Sequence, residues 1–248
     1  MKAVDSHCHL DFDQYDNDRE SVISESKEKL EFLVNAGSSL DRNKKVIELH
    51  RKHPELVVPA LGLHPTYTDH FNELEEIKNQ IEEYMPAAVG EIGLDHHHVK
   101  DSKLRKKQRE IFRELIQVAE EIERPVVVHS RNAEDEAVQI LSDEETSGVM
   151  LHAFNGRPSL AEKAVEKGFR IGVTTQVLYS SRVQSIVEKI ELEDLLLETD
   201  SPFLYQGERN HPENVFESAE MIAEIKEVGR EQVIEETTRS ARELFRND

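Results

Sequence analysis

The sequence predicts an α/β fold, a (β/α)8 TIM barrel forming a single domain over residues 1–248. Three observations carry this expectation. Short apolar runs alternate with longer amphipathic stretches along all 248 residues. Eight such runs occur, at nearly even spacing. Histidines and carboxylates fall at the ends of these runs and not at their starts, where a barrel carries its chemistry.

The runs are KAV (2–4), FLVNAG (32–37), LVVPALG (56–62), AAVGEIG (87–93), PVVVHS (125–130), GVMLHA (148–153), FRIGVT (169–174) and LLLETD (195–200). They favour Val, Ile and Leu and lack polar alternation, as strands buried on both faces do. The stretches between them read as helices. Ile111, Phe112, Leu115, Val118, Ala119 and Ile122 form one amphipathic stripe, and Pro125 stops it. RPSLAEKAVEKG (157–168) has Pro158 near its first turn and Gly168 just past its last. Residues 213–228 and 230–246 read as two closing helices. An open doubly wound sheet would not need eight strands, and no GxGxxG loop supports a dinucleotide version.

Hydrophobic residues make up 37% of the chain and charged residues 33%, which reads as a polar globular protein. A run of about 18 apolar residues, the length a membrane span needs, is missing from the sequence. The stretch MKAVDSHCHL lacks the apolar core of a signal peptide. Cys8 is the one cysteine, so a disulfide within the chain is excluded and a cytoplasmic location is expected. The net charge of −20 argues against general binding to a phosphate backbone. Metal ions in a carboxylate-lined site would invert the sign locally. No obligate protein partner is expected.

The ends of the runs carry His7 and His9, His64, Glu91, His129, His152 and Asp200. In extended chain, residues i and i+2 point to the same side, so His7 and His9 would both face the barrel mouth. Cys8 between them would face the packing. Four histidines and two carboxylates gathered at one end point to a metal site, since burying them together otherwise leaves costly polar groups. Six ligands suit two divalent ions. His7, His9 and Asp200 are assigned to one, His129 and His152 to the other, and Glu91 bridges. Two such ions about 3.5–4 Å apart clamp a displacement at phosphorus and generate hydroxide from water. Asp200 would double as the base for that water. Histidine-rich ligation suits zinc, cobalt or manganese. Asp5 and Asp11 either orient the imidazoles or, for Asp11, cap the following segment. Arg131, Arg157 and Arg209 follow metal-bearing strands, and Arg131 and Arg209 are expected to hold substrate phosphate. His96, in the run His96–His98, is a candidate to reach the pocket.

The motifs DSHCHLD, GLHP, GEIGLD, VHSR, HAFNG and ETDSP resemble, in order and spacing, the TatD-like metal-dependent deoxyribonucleases of the amidohydrolase superfamily. The resemblance runs from about residue 4 to residue 215, with ETDSPFL (198–204) and RNHPENV (209–215) its most specific parts. It implies a hydrolase of DNA phosphodiester bonds, an exonuclease in the expected mode, with two divalent ions (Zn, Mg or Mn). It carries the same ligands onto His7, His9, Glu91, His129, His152 and Asp200, and makes His64 a substrate-phosphate contact. DNA or oligonucleotide ends are the expected substrate. Two departures touch the rim: His96 stands where the family shows an aromatic residue, and Asn155 where Ser is common. Glu91 occupies the position where other superfamily members bridge with a carboxylated lysine, which favours phosphodiester over cyclic-amide hydrolysis. The alternative is a hydrolase of another ester or amide bond, such as a D-aminoacyl-tRNA deacylase or a small-molecule amidohydrolase. A non-catalytic scaffold would be expected to lack ligands, and none of the six is missing.

Overall fold

The computed structural model describes residues 1–246 except 145 and 147. Eight strands run in parallel: β1 (Ala3–Cys8), β2 (Leu30–Ala36), β3 (Val57–Leu61), β4 (Ala88–Asp95), β5 (Val126–Arg131), β6 (Val149–Leu151), β7 (Arg170–Val173) and β8 (Leu195–Leu197). Each pairs with the next in sequence order. The seam between β8 and β1 is closed by a parallel bridge between Cys8 and Ser201. Two backbone bonds hold it: His9 N–H donates to Ser201 O (2.8 Å) and Asp200 N–H to His7 O (2.9 Å). The result is the TIM barrel that the sequence pattern predicts.

Each of the eight apolar runs overlaps one strand. β6 and β8 end sooner than their runs do. The chain leaves extended geometry at Ala153 (φ 43°) and Asp200 (φ 57°), so HA and ETD form loops above the ladder. Alternation divides the strand side chains between two layers. Val4, Phe32, Val34, Ala36, Val58, Ala60, Ala88, Val127, Met150 and Leu196 fill one cluster at two-residue spacing, the barrel interior. The alternate residues, such as Leu33, Val57, Val89, Val126 and Leu195, pack with the helices.

The outer layer is α1 (Arg19–Lys29), α2 (Leu40–Lys52), α3 (Leu74–Tyr84), α4 (Ser102–Glu121), α5 (Glu134–Asp143), α6 (Pro158–Val165), α7 (Ser181–Lys189), α8 (Val215–Lys226) and α9 (Arg230–Phe245). α4 starts where Asp101 accepts from Lys103 N–H (2.7 Å) and Leu104 N–H (3.1 Å). It buries the stripe read from the sequence, from Ile111 to Ala119, against the sheet. Each fully buried Leu, Ile or Phe of that stripe contributes roughly 1.5–3 kcal/mol. α6 begins on Pro158, whose missing N–H costs nothing at a first helical turn. Among the described residues, no helix is long and apolar enough to cross a membrane.

Gly93 combines close approach with a backbone conformation that favours glycine. Gly93 in β4 has φ +137°, and a Cβ there would meet His129 O at 2.1 Å. Gly168 also has positive φ (+83°) but faces open space within 4 Å. Gly93→Ala is expected to destabilise the fold by about 2–4 kcal/mol, combining strain and clash, whereas Gly168→Ala should cost about 1 kcal/mol. Denaturant unfolding of the two variants checks this. Equal losses would show that the approach of β4 to β5 does not demand glycine.

Candidate metal centre

The barrel mouth is floored by side chains from six strand ends. His7 Nε2 and His9 Nε2, on alternate residues of the first strand and its extension, lie 3.1 Å apart. Glu91 stands between two sets of imidazoles and offers one oxygen to each. Its Oε2 lies 3.4 Å from His7 Nε2 and 3.5 Å from His9 Nε2. Its Oε1 lies 2.9 Å from His129 Nδ1, 3.3 Å from His64 Nε2 and 3.9 Å from His152 Nε2. Asp200 Oδ1 faces His9 (3.3 Å), His152 (3.6 Å) and His7 (3.7 Å). Three overlapping groups therefore bring ligand atoms within 4.8 Å of one another: His7, Glu91 and His152; His7, His9 and Asp200; His64, Glu91 and His129.

Outer hydrogen bonds decide which ring nitrogen faces inward. His9 Nδ1 lies 2.8 Å from Ala36 O, and a carbonyl only accepts, so Nδ1 carries the proton. His152 Nδ1 donates to Glu198 Oε2 (2.5 Å) and His129 Nε2 to Asp95 Oδ2 (3.0 Å). In each case the opposite nitrogen points at Glu91 or Asp200. This is the arrangement in which an outer acceptor presents an imidazole lone pair to a metal. His64 is oriented the other way. Thr66 N–H donates to its Nδ1 (3.2 Å), so the neutral ring carries its proton on Nε2, facing the cluster. His64 is thus a donor toward the centre rather than a lone pair. His7 Nδ1 is buried without a partner among the described residues.

The charges are arranged for a cation. Burial favours neutral Glu91, but His64, His152 and His129 outweigh it and hold the carboxyl well below its usual range. Burial likewise opposes ionisation of Asp200, and His152 and His9 outweigh it. On the imidazoles, burial favours the neutral ring. Asp200 and Glu91 overcome that for His9 and hold it at about 9. Glu198, Asp200 and Glu91 do so for His152, at about 10. For His7 burial wins, helped by the stacked His152 ring, and its pKa falls to about 3. The positive charge that the two carboxylates require is carried here by ring protons. A divalent ion would replace those protons, since ligation needs neutral imidazole and ionised carboxylate. The nitrogen and oxygen donors fit such an ion.

The family model for "TatD related DNase" matches residues 4–246. The chain belongs to the TatD family of metal-dependent hydrolases. It is 35% identical to an uncharacterized metal-dependent hydrolase of Methanocaldococcus jannaschii, over 94% of this chain and 92% of that protein. It is 33% identical to the Homo sapiens deoxyribonuclease TATDN3, over 98% of this chain and 94% of that protein. Among solved structures, the TatD homologue YjjV of Escherichia coli K12 superposes with a TM-score of 0.90 at 26% identity, covering 98% of this chain and 97% of that one.

Around this TatD centre, the structure places the other sequence candidates unevenly. A cavity of about 580 Å³ opens over the cluster, lined by Phe12, Tyr67, His97, Arg131, Arg182 and Phe203 among others. Arg131 is exposed there, and among the described residues no carboxylate lies within 4 Å of its guanidinium. Arg209, expected to hold substrate phosphate, is engaged elsewhere. Its fork is engaged by Asp18 (2.9 and 2.5 Å), Gln14 O accepts from its Nη1, and it lies 5.0 Å over the Tyr15 ring, outside the cavity lining. Arg157 is similarly held by Asp135. His97, not His96, lines the cavity; His96 faces Glu136 at 3.6 Å. Cys8 is buried in the core with its Sγ toward Val34 O.

Asp5 and Asp11 do not orient the imidazole rings. Asp5 accepts from Thr199 N–H (2.9 Å), Thr199 Oγ1 (2.6 Å) and His7 N–H (3.2 Å), while Asp11 accepts from Asn35 Nδ2 (3.0 Å). The orienting carboxylates are Glu198 and Asp95, which the sequence reading did not single out. Glu198 precedes Asp200 by two residues in ETDSP, the same spacing as HxH, and that spacing was the available signal. Glu198→Gln leaves the packing intact but removes the anion behind His152. It is expected to weaken divalent-ion uptake about 10–100-fold, measured by chelator competition. An unchanged affinity would show that Glu198 only supports the fold through its bond from Ala153 N–H (2.7 Å).

Proposed function

We propose that the chain, acting as one catalytic domain over residues 1–248, hydrolyses phosphodiester bonds of DNA at strand ends or in short fragments. Two divalent ions would be held by His7, His9, Glu91, His129, His152 and Asp200. The observation that carries this reading is the placement of Glu91, whose two oxygens each face a separate set of imidazoles. A carboxylate so placed suits a bridging ligand. Ions in such a pair supply Lewis acidity, lowering the pKa of water and offsetting charge at phosphorus. The imidazole-rich donor set favours zinc or manganese over the all-oxygen surroundings magnesium prefers. The lone buried Cys8 suits a reducing compartment, and we place the enzyme in the cytoplasm.

The protein's own groups divide the remaining work. The side chain of Asp200 is 15% exposed against 3% for Glu91, so Asp200 is the carboxylate that a cavity water reaches. It takes a proton from the attacking water. His64 Nε2–H donates to a phosphoryl oxygen. Arg131 and Arg182 line the mouth, as guanidinium forks that suit phosphate. Phe12 and Phe203 line it too, ring centroids 5.5 Å apart, as a surface on which a base stacks. A strand end fits this geometry, with the base on the aromatic rings and the phosphates toward the arginines. The acidic remainder of the surface disfavours long duplex.

One feature favours the aminoacyl-ester alternative: the Glu134 carboxylate lines the same cavity, where it would suit an amine. A panel of single-stranded DNA, a small phosphodiester and an aminoacyl ester, assayed after chelation and add-back of each ion, separates the two readings. Turnover of the ester alone would overturn the nuclease reading. Glu91→Gln and Asp200→Asn are each expected to abolish turnover while circular dichroism reports an intact fold. Full activity in either variant would remove that residue from the mechanism. Arg131→Ala should raise KM for an oligonucleotide about 10-fold with kcat nearly unchanged, the loss of one charge-assisted contact. A KM equal to that of the parent would show that the exposed fork does not meet substrate.

A further inference from the structure

Within the run His96–His98, the sequence singles out only His96 as a candidate to reach the pocket. The structure gives His98 a defined place. Its Nδ1 donates to Asp95 Oδ2 (2.9 Å), and its backbone N–H donates to Asp95 Oδ1 (2.6 Å). The same Asp95 Oδ2 accepts from His129 Nε2 (3.0 Å), and His129 Nδ1 faces Glu91 Oε1 (2.9 Å). Four side chains thus form one continuous chain of contacts, Glu91–His129–Asp95–His98. It begins at a buried carboxylate of the centre and ends at an imidazole that is 54% exposed.

The outer end is held firmly. Arg105 donates through Nε to Val99 O (2.8 Å) and through Nη2 to His96 O (2.9 Å). His96 N–H donates to Arg131 O (2.9 Å), tying the loop to the end of β5. Asp95 is fully buried, and Gln108 Oε1 accepts from its backbone N–H (3.4 Å). A buried carboxylate that receives two ring N–H groups on Oδ2 and a backbone N–H on Oδ1 has little freedom to turn. It fixes the rotation of the His129 ring and the nitrogen presented to Glu91.

We propose that Asp95 and His98 are positioning residues for the His129 half of the centre, with His98 bracing Asp95 from the solvent side. Neither offers an atom to the ion: Asp95 acts through His129, and His98 acts through Asp95. The inference rests on the two-ion reading above only for its metal-binding consequence. The orientation of the His129 ring is a property of the protein alone.

The test uses the full chain and four proteins: the parent, Asp95→Asn, His98→Leu and His98→Asn. Asn at 98 keeps a donor near the position of Nδ1, whereas Leu removes it. Long-range ¹H–¹⁵N spectra of histidine-labelled, metal-free protein read the protonation of the two His129 nitrogens. Calorimetric titration with Zn²⁺ and with Mn²⁺ reads the ions. The expected result is a changed His129 ring signature in Asp95→Asn. One binding step should weaken by about 10–100-fold while the other stays within about 2-fold. His98→Leu should weaken the same step by roughly 2–10-fold, the worth of one hydrogen bond, and His98→Asn should restore it. Three results would overturn the proposal: an unchanged His129 signature in Asp95→Asn, equal weakening of both steps, or a His98→Leu protein indistinguishable from the parent. A parent that takes up a single ion would overturn the two-ion reading instead, and the ring spectra would still decide the brace.

Discussion

The seam between the first and last strands is the constraint on which the rest of the structure depends. His7 and His9 reach Asp200 only because the sheet closes, and the closing bonds are made by the clustered residues and their neighbour Ser201. Asp200 N–H donates to His7 O, and His9 N–H donates to Ser201 O. Asp5 reinforces the seam from below, spanning 194 residues of sequence to receive Thr199 N–H and Oγ1–H. Burial pushes the Asp5 carboxyl well up, and its hydrogen bonds only partly offset that cost. An acid kept at such expense, beneath two histidines and away from any ring nitrogen, has a structural task. It ties the chain's first strand to the turn that carries Asp200.

What was legible in the sequence follows from this architecture. Parallel strands covered on both faces must be apolar throughout, so the eight runs stood out, and helix stripes such as Ile111–Ala119 stood out between them. A polar residue at the end of such a run has no packing reason to be there, which made His7, His9, Glu91, His129, His152 and Asp200 visible together. The partners of those residues were not visible. Asp95 meets His129 because β4 and β5 pair with Gly93 opposite His129 and Asp95 opposite Arg131. Register between strands is a tertiary fact, and the bulge within that pairing removes any simple count. The pairing of Arg209 was hidden for the complementary reason. Nothing in RNHPEN says that the loop descends toward α1, where Asp18 takes the guanidinium before a substrate could.

The net charge of −20 and a site for polyanions are compatible once charge is placed rather than summed. Most arginines and lysines on the barrel's flank are matched to carboxylates, as Arg157 is to Asp135 and Arg242 to Glu31. Arg131 and Arg182, at the mouth, are not so engaged among the described residues; Arg182 donates weakly to Asn155 O (3.4 Å). At close range the mouth therefore presents two guanidinium groups, alongside the Glu134 carboxylate. The acidic flank acts at longer range, where salt screens it within about 8–10 Å.

Strain is concentrated at the same end of the barrel. Asn132, Ala153 and Asp200 are non-glycine residues with φ of 56°, 43° and 57°, and they follow β5, β6 and β8. Each takes the chain sharply out of its strand, one to three residues after a histidine or, for Asp200, at the carboxylate itself. Left-handed backbone at such residues costs on the order of 1–3 kcal/mol each and persists where surrounding structure over-determines it. Here the surroundings are the hydrogen bonds that orient the centre: Ala153 N–H to Glu198, Asp200 N–H to His7 O, and Phe203 N–H to Asp200 O. Buried polar atoms without partners among the described residues gather nearby too, including His7 Nδ1, Ser6 Oγ and Ser201 Oγ. Strain and unmet hydrogen bonding both lower stability, and apolar packing of the eight strands offsets them. A mouth optimised for stability alone would carry neither. Their coincidence with six converging donors marks this end of the barrel as the part shaped by something other than folding.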